Sequence, residues 1–331
     1  MHFPLPPHHI SHVIIACLLL GLGNFVKAKD VANQTNTLND FFGPTCQSPY
    51  PYETLPLYPE DIELLQFALN IEHNEADFFL WGALGYGLDV VAPELVQGGP
   101  PPIGVKKANL DPLVESIIKE FGYEEVGHLR AIKSTVGSLP RPFMNLSAEN
   151  FATFVDQAFG YKLEPIFDPY RDSLSFVLAS YFVPYMGLTG YVGANPLLKG
   201  YVAKRLTASL LGVEAGQDAV IRMYLYEHAS EIVHPYTFTV AEFTDKISKL
   251  RNELGKCGIK DEGIIVPTFL GAEGKTTTNV LSSNKDELAY SRTPAEILRV
   301  LYDTGNEHVP GGFYPLGANG KIAREYLGQH V

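Results

Sequence analysis

Between Tyr123 and Ile132 the chain reads YEEVGHLRAI, which sets Glu125 and His128 in one helical register with Val114, Ile118, Phe121, Ile132 and Thr135. Those positions recur at alternating steps of four and three, the spacing of one face of a helix. A carboxylate and an imidazole one turn apart on an apolar face are costly to bury alone, because each gives up water without gaining a partner. A shared cation removes that cost. The same rhythm appears twice more. Leu65, Leu69, Ala76, Phe79 and Ala83 leave an inward place that Glu72 fills, and Ala203, Thr207, Leu210, Ile221 and Tyr224 flank Glu214 and Gln217.

Glu72, Glu125, His128, Glu214 and Gln217 are therefore candidate metal ligands. Hard oxygen donors with one imidazole suit iron or manganese as either cycles between oxidation states, and such metals serve oxygen and peroxide chemistry. A plainer reading makes Glu125 and His128 a satisfied hydrogen-bonded pair in the core, leaving Glu72 and Glu214 to find separate partners. Glu75 and Asp77 read as solvated flanks, His73 as facing away from the seam, and His228 as too far from Gln217 to share an ion. The Tyr and Phe content of these segments reads as core.

Four long helices must position these groups. The spacing predicts the first from Pro59, the second over about 111–136, the third over about 172–191 and the fourth over about 199–228, with a short helix capped by Ser147 and ending near Phe159. Residues 29–58, rich in Asn, Thr and Pro, read as an extended arm. Residues 236–331 read as a mixed extension packed on the bundle, with further helices over 238–254 and in TPAEILRVLYDTG. Residues 173–198 carry no Asp, Glu, Lys or Arg, but Pro184, the glycines at 187, 190 and 193 and several hydroxyls suit a helix enclosed by others better than a membrane span.

With 331 residues, 46% of them hydrophobic, the chain can bury a substantial core. A net charge of −12 and a pI near 5.3 disfavour nucleic acid and anionic lipid as partners. Residues 1–28, with the apolar run from Val13 to Gly23 and small residues before Lys29, read as a cleaved signal peptide, which leaves no membrane anchor. Secretion fits the two cysteines that remain, Cys46 and Cys257, as one disulfide, and the sequons at Asn33 and Asn145 as glycosylation sites.

In four-helix bundles, a Glu from each of two helices and Glu-x-x-His from each of the others build di-iron and di-manganese carboxylate sites. LNIEHNEADFF (69–79), EEVGHLRAI (124–132), VPYMGLTGYVGANP (183–196) and LLGVEAGQDAVIR (210–222) resemble the ferritin-like family that includes the plant desiccation-related proteins and secreted ferritin-like catalases. The resemblance implies an all-α core, a ferritin-like four-helix bundle over 59–235, with Glu72, Glu125, His128 and Glu214 at ligand positions and Gln217 where many relatives have histidine. The third helix departs from the pattern: its seam reads Val177, Tyr181, Pro184, Leu188, Tyr191, with Pro184 near the place where many relatives have glutamate. Glu72, Glu125 and His128 would hold one ion. Glu125, as a bridge, would hold a second with Glu214 and Gln217, and Glu75 or solvent would complete it. Three functions follow as expectations: peroxide disproportionation in the extracellular space or a secretion such as nectar, with Glu125 and His128 as catalytic groups; a non-catalytic protective role in drying; and ferroxidase or iron binding.

Overall fold

The computed structural model describes residues 55–329. The expected signal peptide, most of the arm, Asn33 and Cys46 lie outside the described residues. Two long helices open the fold: α1 spans Pro59–Leu84 and α2 spans Pro112–Val136. Pro59 suits the first turn of α1, where no backbone N–H is required of it. The Asp111 side chain accepts from the backbone of Leu113 and Val114 and so starts α2. Next come the short α3 (Ala148–Phe159), capped by Ser147, and then α4 (Ser173–Ser180), capped by Asp172.

A single third helix is not what forms. The wall breaks at Tyr181–Val183 and resumes as α5 (Pro184–Ala194). Pro184 cannot donate to the turn before it and instead takes the first position of the new helix. The carbonyls freed at the break, those of Tyr181 and Phe182, accept from Nη1 of the buried Arg251. The fourth bundle helix, α6, spans Tyr201–Glu227. α1 packs along α2, the α4–α5 wall packs along α6, and α1 with α5 and α2 with α6 close the bundle.

Three helices follow: α7 (Val240–Gly255) and α8 (Pro294–Leu301), each opened by a threonine capping box, and α9 (Lys321–Tyr326). No strand forms among the described residues. The β-branched stretch around Ile265 makes one isolated bridge to Thr278. This C-terminal part is joined to the bundle through its interior. Phe313 stacks on Phe154 with ring centres 4.7 Å apart, the Tyr314 hydroxyl donates to Asn70 O at 2.8 Å, and the Arg292 backbone N–H donates to Thr189 O at 2.9 Å. α7 is held by a buried cluster in which Arg251 Nη2 donates to Asp261 at 3.0 Å and Arg222 Nε to Asp218 at 3.0 Å, both guanidinium groups lying over the Tyr181 and Tyr185 rings. No described helix is long and apolar enough to cross a membrane.

Candidate metal centre

Each wall of the bundle turns a polar group inward at one level. α1 supplies Glu72, α2 supplies Glu125 and His128, α5 supplies Tyr191, and α6 supplies Glu214 and Gln217; all are buried. The Glu125 and His128 side chains meet because i and i+3 share a helix face. His128 Nδ1 lies 3.0 Å from Glu125 Oε2, 3.1 Å from Glu72 Oε2 and 3.7 Å from Glu214 Oε1. One ligand atom from each of Glu72, Glu125, His128 and Glu214 can be chosen so that all lie within 4.8 Å of one another. This buried group could hold a metal ion.

The charge balance tests that fit. Both oxygens of Glu214 and both of Glu75, and Oε1 of Gln217, are buried without a hydrogen-bond partner. A core pair of Glu125 and His128 would satisfy neither Glu214 nor Glu75, whereas a cation would give their oxygens something to bind. Without it, the cluster holds its protons unevenly. Burial works against the His128 cation, yet Glu72 and Glu125 push its pKa up to about 12. Burial would also raise Glu72, but the His128 charge and the hydrogen bonds to His128, Glu125 and Tyr191 draw it below its ordinary value. Burial, then the Glu72 charge, pushes Glu125 up to about 8. Glu75 and Glu214 are driven well above the usual carboxylate range, by burial first and then by the neighbouring carboxylates. The donor set of three carboxylates and one imidazole therefore fits a multivalent cation that replaces those protons.

The third wall contributes a hydroxyl where many relatives carry a carboxylate. Tyr191 O–H donates to Glu72 Oε1. Gly187, one turn beyond Pro184, faces the cage. A Cβ on Gly187 would sit 2.6 Å from Glu214 Oε2, closer than real contacts allow, so the bare backbone here gives the carboxylate its room. Gln217 donates from Nε2 to Glu125 Oε1 at 2.6 Å and to Glu124 Oε2 at 3.2 Å, which orients Glu125. A narrow apolar groove of about 50 Å³ has walls from α1, α5 and α8 and reaches Glu72, Gly187 and Tyr191.

Glu75 and Asp77 are not solvated flanks. Both are fully buried, because every residue from Ile71 to Leu80 is buried and α1 has no solvent face at this level. Asp77 accepts from Arg141 Nη1 at 2.9 Å and from the Leu88 N–H at 2.9 Å, while Glu75 shares the electrostatics of the cage. His73 turns away to the Leu69 and Leu95 carbonyls, and His228 pairs with Glu231 at 2.8 Å, outside the cage. Cys257 is exposed, and its expected partner Cys46 lies outside the described residues. Asn145 is half-buried, and its Oδ1 accepts from the Ser147 N–H at 3.1 Å, so the sequon doubles as the turn that leads into α3.

Comparison with known proteins places the chain in a family. The ferritin-like domain model matches residues 60–227. Among curated proteins, the ferritin-like catalase Nec2 of Nesocodon mauritianus is 63% identical over 287 residues, covering 87% of this chain and 92% of that protein. The desiccation-related protein PCC13-62 of Craterostigma plantagineum is 54% identical over 261 residues, 79% of this chain and 83% of that protein. No solved structure matches the chain significantly. With its inward carboxylates and imidazole carried by three of the four bundle walls, the chain belongs to the ferritin-like domain family.

Proposed function

We propose that the chain is a secreted ferritin-like metal-carboxylate oxidoreductase that disproportionates hydrogen peroxide, two molecules giving two of water and one of oxygen. The observation that carries this reading is the 63% identity, over most of both chains, to a protein named as a ferritin-like catalase. The buried cage supports it chemically. Iron or manganese, as one or two ions, is the metal its oxygen-rich donor set favours. Glu72, Glu125 and His128 would hold one ion, and Glu125 with Glu214 and Gln217 a second. When bound, the metal supplies a reversible change of oxidation state, so that peroxide serves in turn as oxidant and reductant.

The protein's own groups do the rest. Tyr191 keeps a donor on Glu72 Oε1, and Gln217 keeps one on Glu125 Oε1, so neither carboxylate swings freely. Glu125, with its raised pKa and its place beside His128, takes and returns protons as peroxide oxygen is converted to water. The apolar groove admits a small solute while limiting bulk water at the cage. Secretion, a Cys46–Cys257 disulfide and glycans on Asn33 and Asn145 belong to the same reading, in an extracellular plant compartment.

A second reading, a non-catalytic protective protein, is favoured by the 54% identical desiccation-related relative and by the lack of a carboxylate on the third wall. Elemental analysis of the purified protein, with oxygen release measured after peroxide addition, separates the two. Iron or manganese with oxygen release supports the catalase reading; neither metal nor oxygen leaves the protective one. His128→Ala is expected to weaken metal binding by at least about 10-fold, the lower end of what loss of even an outer partner costs. Unchanged metal content in that variant would move the site elsewhere.

A further inference from the structure

We propose that Glu75 is a metal ligand, binding a second ion together with Glu214 and Oε1 of Gln217, and that it stands in for the carboxylate missing from the third wall. Glu75 lies one turn beyond Glu72 on α1, so the two carboxylates leave the same face of the helix. It is 1% exposed, and neither of its oxygens has a hydrogen-bond partner. The Tyr314 hydroxyl, which its charge influences, is already donated to Asn70 O and does not serve it. Glu214, fully buried, has both oxygens unpartnered as well, and Gln217 has Oε1 free while its amide N–H is spent on Glu125 and Glu124. Three buried side chains thus carry five oxygen atoms that no protein donor reaches. Glu75 is not part of the tight group formed by Glu72, Glu125, His128 and Glu214, yet its charge acts on Glu214, so an ion it binds with Glu214 would be a second one.

The two positions are then chemically unequal. The first has an imidazole and the hydrogen-bonded carboxylates Glu72 and Glu125; the second is built of oxygen alone and uses carboxylates that nothing else satisfies. Gly187 permits this, since a side chain there would push the Glu214 carboxylate out of its present position.

This inference rests on the cage binding metal, but not on peroxide turnover, and its test reads metal directly. The full chain, stripped by a chelator, is titrated with Mn²⁺ alone, and bound metal is counted by elemental analysis and by electron paramagnetic resonance. The native protein is expected to take two ions per chain with the broad spectrum of a coupled pair. Glu75→Gln is expected to take one, with the six-line spectrum of an isolated Mn²⁺ ion. Glu75→Asp, which keeps the charge but shortens the reach, should hold the second ion at least 10-fold more weakly. Metal-free Glu75→Gln should melt no lower than the native protein, because a neutral amide replaces a buried carboxylate that has no partner. Equal stoichiometry in native protein and both variants overturns the proposal. A native chain that binds no Mn²⁺ overturns it together with the metal reading. Two ions bound without oxygen release from peroxide would remove the catalase reading alone.

Discussion

Tyr191 is where the third wall touches the chemistry, through a hydroxyl donated to Glu72 in a site where every other inward group is a carboxylate, an amide or an imidazole. Tyr191→Phe keeps the ring and its packing but removes that donor. It should leave bound metal within about twofold of the native value while lowering oxygen release from peroxide by roughly 10- to 100-fold, the usual cost of losing a group that orients a ligand. Unchanged turnover would reduce Tyr191 to a packing residue. The spacing already placed Tyr191 on the seam, but a tyrosine at a seam position reads equally well as core, and only the Glu72 contact distinguishes the two. Glu125 and His128 were legible because polar groups stood out in an apolar register. The burial of Glu75 was not, since the expectation that α1 keeps one wet face fails where its whole circumference is covered from Ile71 to Leu80.

At the scale of the elements, the broken third wall decides how the cage is closed. Its break lets α5 start afresh at Pro184 and present Gly187 to Glu214. Gly187→Ala adds a methyl where only 2.6 Å separates the new Cβ from a carboxylate oxygen. That oxygen is the tip of a flexible side chain, so Glu214 should swing away and the helix should persist. The expected result is metal affinity lowered by about 10-fold or more, as for loss of a supporting contact, with a native-like far-ultraviolet circular dichroism spectrum. Affinity equal to that of the native protein would mean that Glu214 is not a ligand. Helix starts at Asp111, Ser147, Thr239 and Thr293 were readable because each cap is made within three residues of its own sequence. The break was not, because the carbonyls it frees are satisfied by Arg251, about 70 residues away. Pro184 marked the irregularity but not its direction.

The molecule as a whole should carry the imprint of the cage in its dependence on pH. Glu125, raised from 4.5 to about 8, contributes stability that is complete below pH 4.5 and is lost as pH rises through 8. Glu75 and Glu214 act in the same direction, and so does Asp77, which burial raises from 3.8 to about 6 despite Arg141. His128, raised from 6.5 to about 12, contributes in full below pH 6.5 and loses its contribution as pH climbs toward 12. Glu72 has the opposite sign: its lowered pKa gives stability above pH 4.5 that is lost only in acid, as does Glu307, held at about 2 by Arg299. Between pH 5 and 8 the groups with raised values therefore dominate. The melting temperature of the metal-free protein should fall across that interval when ionic strength is held constant. A metal bound there would take the place of the protons on Glu125, Glu214 and Glu75, so affinity should rise with pH and each binding event should release protons. Calorimetric melting of metal-free and Mn²⁺-saturated protein from pH 5 to 8 measures both effects. The gap between the two melting temperatures should widen as pH increases, and a gap that stays constant would mean that the ion binds away from these carboxylates.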